Sequence, residues 1–373
     1  MKKKHNTPDL WLMGGITFLL TIGLIMVYSA SSVTSFIEYN GSSGHFFFRQ
    51  LIWAVMGVFI MIILAIIDYA FYEKMAWPVC IGMGLLLVVV AIPGVGQVHG
   101  GSSRWLNVGF TDIQPSELAK IAVVLVVSAC SAKIEGKNLK NLKSYWKPLL
   151  AAFVLAILIF IEPDLGGSAT VASLAFLIVF AAGVRIMDLL VPCAMLLPVV
   201  FMKLHSYQMD RITSVMNPWS DPLGNGYHTI QSLIALGSGG MFGHGIGNSR
   251  QKFLYLPEQH TDFIFSIIGE ELGFVGTMLV LALFMLLIWR GYKIAISASD
   301  KFGTFTAFGL TALIAMQSIY NIGMTTGVFP IKGLALPFIS YGGSSMLMIF
   351  VCAGILLSIS RGHAVVLKAG DRA

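Results

Sequence analysis

What most limits how this 373-residue chain can fold is a series of about ten apolar stretches, each close to the length of a membrane-spanning helix. About 20 consecutive apolar residues carry a helix across the hydrocarbon of a bilayer. Backbone groups in lipid must satisfy their own hydrogen bonds, so such runs form helices. The spacing predicts spans near 10–30, 50–67, 76–94, 117–132, 148–162, 166–184, 187–203, 262–289, 303–327 and 343–360. The expected fold is an all-α integral membrane protein, one polytopic domain over 1–373. Hydrophobic residues make up 56% of the chain and charged residues 11%, with a mean hydropathy of +0.81, which excludes an ordinary soluble domain.

Cation placement predicts the orientation. With the N-terminus inside, 16 of the 24 Lys and Arg fall on cytoplasmic segments, as the positive-inside rule requires, and both termini are then cytoplasmic. The net charge of +6 is mostly this excess, and the lysines of 133–147 read as a loop resting on anionic lipid rather than a nucleic-acid site. The first apolar run lacks a small-residue cleavage pattern, so it is expected to remain as a helix. Cys80, Cys130, Cys193 and Cys352 lie in apolar segments without paired spacing and read as free thiols.

Under this topology the segments 95–116, 163–165, 204–261 and 328–342 open outward, each placing Gly, Pro and polar residues beside a helix end. The large loop 204–261, between the seventh and eighth helices, is expected to roof an external cavity, since irregular backbone near a membrane is tolerated where it lines a wet space. Pro115 and Ser116 read as a helix start, with Glu117 and Lys120 on one face. They form either a structural ion pair or a place where Lys120 meets an anionic headgroup. In Glu162-Pro163-Asp164 the carboxylates either cap helices or hold a divalent cation. His205, His228, His244 and His260 lack metal-ligand spacing.

Asp262 closes Leu256-Pro257-Glu258-Gln259-His260-Thr261-Asp262, where the polar loop runs into an apolar helix. It is either a helix N-cap or a carboxylate held at the membrane surface for proton chemistry. Glu270 and Glu271 follow two turns later, about 12 Å deeper at 1.5 Å per residue, and are expected to be paired or protonated.

Several motifs together carry a resemblance: Gln114-Pro115-Ser116-Glu117, Pro163-Asp164-Leu165-Gly166, Gln231-Ser232-Leu233, Gly237-Ser238-Gly239-Gly240, His260-Thr261-Asp262-Phe263, Gly269-Glu270-Glu271-Leu272-Gly273 and Leu336-Pro337-Phe338-Ile339-Ser340-Tyr341-Gly342-Gly343-Ser344-Ser345. In this order and over the whole chain they are similar to the shape, elongation, division and sporulation (SEDS) polymerases. Asn217-Pro218-Trp219 and Gly247-Asn248-Ser249-Arg250-Gln251-Lys252 resemble the division and sporulation branch, of FtsW and SpoVE type. Ile331-Lys332-Gly333 departs from the family's usual Thr-Gly pair.

The resemblance implies a peptidoglycan glycosyltransferase that polymerises lipid II at the outer face of the bacterial cytoplasmic membrane, at the division septum or in sporulation. It implies Asp262 as the catalytic residue, acting as general base in an inverting transfer. Lys120, Arg211 and Arg49, with Glu117, Arg104 and Ser344, are the candidate substrate-binding residues. No cofactor is firmly implied, though a divalent cation (Mg or Mn) near Asp164 is one option. The implied partners are lipid II, undecaprenyl-diphosphate-linked glycan, a class B penicillin-binding protein and other division proteins. A non-catalytic scaffold that recruits a transpeptidase and a lipid II flippase are the rival readings.

Overall fold

Asp9 starts the first helix: its side chain accepts from the Leu12 amide at 2.9 Å, satisfying a donor that a helix N-terminus otherwise leaves open. The same device recurs at Asp68, Asp164 and Asp300. The structure, a computed structural model, describes residues 7–39, 41–92, 94–99, 102–107, 109, 112–191 and 214–362. Its helices are α1 (Leu10–Glu38), α2 (His45–Ile66), α3 (Tyr69–Ala91), α4 (Pro115–Ala132), α5 (Trp146–Ile161), α6 (Leu165–Ala181), α7 (Tyr227–Ser238), α8 (Ile264–Ser297), α9 (Lys301–Thr325) and α10 (Gly343–Ser360).

Eight described helical segments are long and apolar enough to cross a membrane, and the 17-residue α6 is a shorter apolar helix. These match nine of the expected spans. The remaining one, 187–203, lies outside the described residues beyond its first turn at 187–191. Two elements were not anticipated. The short helix α7 forms inside 204–261, and segment 95–116 holds a small antiparallel sheet of β1 (Gln97–His99), β2 (Ser102–Asn107) and β3 (Asp112–Ile113), in the order β1-β2-β3. Their segments are too short and too polar to register against a 20-residue criterion.

Helices α4, α9 and α10 are mostly buried, whereas α2 and α3 present most of their surface outward. Antiparallel α1 and α8 are pinned at two levels. At one end Arg290 donates from Nε to both Asp9 carboxylate oxygens, at 3.1 and 3.0 Å. At the other, Ser29 donates to Glu271 at 2.7 Å. Ser29 follows Asp9 by 20 residues, and at 1.5 Å per residue the two levels stand about 30 Å apart, one hydrocarbon thickness.

Just past Glu271 the eighth helix breaks. Gly273 has φ 68° and ψ −163°, a conformation open to glycine, and a Cβ there would collide with the backbone of Met241 and Gly243. The broken ladder frees donors and acceptors that the preceding loop takes up. His244 and Gly245 donate to the carbonyls of Glu270 and Glu271, at 3.1 and 2.9 Å, while Phe274 and Val275 donate to Gly240 and Met241, at 2.9 and 3.1 Å. The span expected as continuous over 262–289 is therefore two helical pieces laced together by segment 240–245.

Candidate active site

Four outward segments that lie far apart in sequence meet at the end of the bundle away from Asp9 and Arg290. Arg104 of β2 donates from Nε to the Glu162 carbonyl at 2.7 Å and from Nη2 to the Pro163 carbonyl at 2.6 Å. Lys332 lies against Gly166, where any Cβ would overlap its Cε. The Tyr341 amide donates to the His260 carbonyl at 3.0 Å, and Ser340 Oγ donates to the Thr261 carbonyl at 2.6 Å. These contacts bring parts of all four segments together, but the cavity beside them is lined, among the described residues, by segments around 104, 163–166 and 330–333 and by none of 204–261.

Asp262 is half-buried in the turn before α8. The helix's N-cap is Phe263 and no side chain caps it, so the capping alternative for Asp262 does not hold. Asn321 on α9 fixes its main chain, donating from Nδ2 to the carbonyls of Asp262 at 2.8 Å and Leu334 at 2.6 Å. This holds Gly333 beside the carboxylate: a Cβ on Gly333 would stand 3.3 Å from Asp262 Oδ2.

Gly333 also lines a cavity of about 390 Å³ that runs past Lys332, Arg104 and Asp164 and down between α6 and α9. Lys332 is the cation that sequence reasoning missed; Ile331-Lys332-Gly333 registered only as a departure from a motif. Its ammonium sits 5.6 Å from the centre of the Tyr320 ring. Burial pushes its pKa down to about 8; Lys120 and Arg104 push the same way, against the opposing pull of Asp164 and Glu117.

The other candidates divide. Arg104 and Asp164 line the cavity. Asp164 caps α6, accepting from the Gly167 amide at 2.8 Å, as turn chemistry predicted. Lys120 is 1% exposed, bound to Glu117 Oε1 at 2.5 Å, and absent from the cavity wall, which favours the structural-pair alternative. Ser344 is buried and accepts from the Gln114 amide at 3.0 Å, fastening α10 to the start of α4. Arg49 stands near enough to Tyr341 to act on its hydroxyl, but it does not line the cavity. Arg211 lies outside the described residues.

Two further titratable groups shape the site. Glu162 is 2% exposed, neither carboxyl oxygen has a hydrogen-bond partner among the described residues, and burial, with Asp164 beside it, raises its pKa to about 8. Burial holds the His260 imidazole below its ordinary range, so this ring, packed on Phe46 at 4.5 Å and Tyr341 at 5.6 Å, is a neutral wall rather than a cation. Among the described residues no three His, Cys, Asp or Glu side chains converge as a metal ion requires.

The comparisons with known proteins follow the same architecture. Residues 10–364 match the family model of the FtsW/RodA/SpoVE cell cycle proteins. The chain is 44% identical to stage V sporulation protein E of Bacillus subtilis (strain 168), over 97% of this chain and 99% of that one. It is 41% identical to a probable peptidoglycan glycosyltransferase FtsW of Trichlorobacter lovleyi, over 95% and 93% respectively. Among solved structures it superposes with TM-score 0.78 and 27% identity, over 95% of this chain and 98% of the other, on a chain from work on the structural coordination of polymerization and crosslinking by a peptidoglycan synthase complex. The rod shape determining protein RodA of Thermus thermophilus shares the fold, with TM-score 0.72 and 24% identity, over 96% and 98%. The chain belongs to the FtsW/RodA/SpoVE family of cell cycle proteins.

Proposed function

We propose that this protein is a peptidoglycan glycosyltransferase that polymerises lipid II at the outer face of the bacterial cytoplasmic membrane, with Asp262 as general base. The observation that carries the reading is Asp262 beside Gly333, on the edge of a cavity whose mouth holds Lys332 and Arg104. A base and a cation cluster thus adjoin one space, which a transfer from a diphosphate to a hydroxyl requires. Relatives named as peptidoglycan glycosyltransferases support the substrate class.

The acceptor's GlcNAc 4-hydroxyl is a weak nucleophile at neutral pH. As its oxygen forms a bond to the donor's MurNAc C1, its proton passes to the Asp262 carboxylate, a contribution of about 10²–10⁴-fold in rate for a positioned base. The C1–O bond to the diphosphate breaks on the opposite side, so the α-linkage becomes β in one displacement and no covalent enzyme intermediate forms. Charge grows on the departing polyprenyl diphosphate, and Lys332 and Arg104 stand where it can be stabilised.

The likeness to a peptidoglycan synthase complex supports a crosslinking partner of the class B penicillin-binding type. The test is to give the purified protein and its partner lipid II and to resolve the products by chain length. Glycan polymer that persists with an inhibitor of soluble-domain glycosyltransferases is the expected result; none from a folded, partner-bound protein returns the scaffold reading.

A further inference from the structure

We propose that the groove between α6 and α9 is the subsite for the lipid carrier, taking a single-tailed prenyl diphosphate with its head on Lys332 and Arg104 and its tail running down between the two helices. The inference rests on the glycosyltransferase reading, which requires a diphosphate-linked lipid but does not say where it lies.

The cavity is polarised along its length. At its mouth stand Lys332 and Arg104, beside the start of α6, where the Asp164 carboxylate also lines the wall and accepts from the Gly167 amide at 2.8 Å. Among the described residues the Lys332 ammonium has no hydrogen-bond or ion-pair partner of its own, only the Tyr320 ring. Arg104 donates from Nε and Nη2 to the carbonyls of residues 162 and 163, and among the described residues its Nη1 makes no hydrogen bond. Below this the walls are Ala169 and Ser173 on α6 and Met316 and Tyr320 on α9. Ser173 follows Gly166 by seven residues, so the groove descends about 10 Å along α6. Ala169 is exposed and neighbouring Ile319 is 57% exposed, so the groove opens sideways, where a lipid can enter.

Charge and shape argue for this occupant. A diphosphate concentrates negative charge at one end, matching two cations at one mouth, and a gap between two adjacent helices admits one hydrocarbon chain rather than the pair on a glycerophospholipid. Gly166 leaves the space in which Lys332 crosses α6 to reach the mouth; a Cβ there would overlap its Cε and push the lysine side chain aside. The same burial that lowers the Lys332 pKa to about 8 makes a bound anion its natural counter-charge. Binding should therefore weaken as pH rises through about 8 and the ammonium deprotonates; Asp164 and Glu117 oppose that loss, while Lys120 and Arg104 promote it.

The experiment places a photoreactive benzoylphenylalanine at Ser173 of the full chain, with a control at lipid-facing Phe59 on α2, in phosphatidylcholine nanodiscs. Undecaprenyl diphosphate is the probe and adducts are weighed by mass spectrometry. We expect an adduct at position 173 and little at 59. Lys332→Met should lower the yield roughly 10-fold or more, as for losing one charge-assisted hydrogen bond to phosphate. Lys332→Arg should retain it and lose the decline above pH 8. Ala169→Trp, which fills the groove and spares the cations, should abolish the adduct while leaving capture of inorganic diphosphate intact, so a Lys332→Met protein that melts early does not leave the matter open. Equal labelling at 173 and 59, or displacement of the probe by phosphatidylglycerol, would overturn the subsite. Failure of the glycosyltransferase reading is seen separately, as absence of polymer from lipid II with the unsubstituted protein.

Discussion

The head of α8 carries carboxylates at two levels, and the structure treats them in opposite ways. At the inner level Glu270 and Glu271, 1% and 0% exposed, are surrounded by donors. Glu270 takes the Ser249 hydroxyl, the Arg250 amide at 2.8 Å and the Gln251 amide at 3.3 Å. Glu271 takes Ser29 at 2.7 Å and the Ser249 amide at 3.3 Å, with the Lys252 ammonium 3.8 Å away. At the outer level Asp262 is half-buried, does not cap its helix and edges the cavity. A carboxylate saturated with donors deep in the fold holds a loop in place, whereas one at the edge of a cavity stands where a substrate can meet it. The inner pair makes the outer one usable, because the segment it fastens, 247–252, leads directly into the turn that presents Asp262.

The sharpest way to break this contrast is Asp262→Asn. We expect a loss of about 10²–10⁴-fold in polymer formation, the size of a general base, with an unchanged melting temperature in detergent. Because Phe263 and not Asp262 occupies the N-cap, Asp262→Ala should behave the same way. Near-normal glycan synthesis by either variant would remove Asp262 from the chemistry.

At the inner level the expected effect moves from rate to stability. Glu271→Gln strips the countercharge from Lys252, whose side chain is 7% exposed, and breaking such a buried pair from one side costs about 3–5 kcal/mol. The double substitution Glu271→Leu with Lys252→Met should recover part of that loss, since no charge is then left buried alone. Thermal melts of Glu271→Leu, Lys252→Met and the double variant check this, and additive losses in the double variant would mean that the pair is not coupled.

The part of this arrangement that sequence could reveal is what short spacings encode. Apolar runs located the spans within a few residues, 343–360 matching α10 as observed. The Glu117–Lys120 pair was legible because three residues on a helix bring side chains together. Lys332 was not, because its neighbours Gly166, Arg104 and Lys120 come from segments more than 150 residues away. The break at Gly273 was hidden for a related reason: a glycine inside an apolar run is common, and only the loop folding back from 240–245 makes it a discontinuity.

A third carboxyl tests whether burial alone defines the inner class. Glu162 is as buried as Glu270 and Glu271 but has, among the described residues, no hydrogen-bond partner for either oxygen, and burial raises its pKa to about 8. Below about pH 4.5 the group is protonated in both folded and unfolded chains. Between there and about 8 the folded protein keeps its proton while the unfolded chain loses it, so the folded state binds more protons and stability falls as pH rises across that window. Glu162→Gln removes this slope. Relative to the parent it should be near neutral at pH 4.5 and more stable at pH 8.5, by on the order of a few kcal/mol, the linkage cost of a carboxyl whose pKa rises from 4.5 to about 8 on folding. The check is the difference between the two melting temperatures against pH, which cancels every other titrating group common to both proteins. A difference that stays flat would mean that Glu162 is held by donors as Glu270 is, and burial without donors would then no longer separate the two kinds of carboxyl.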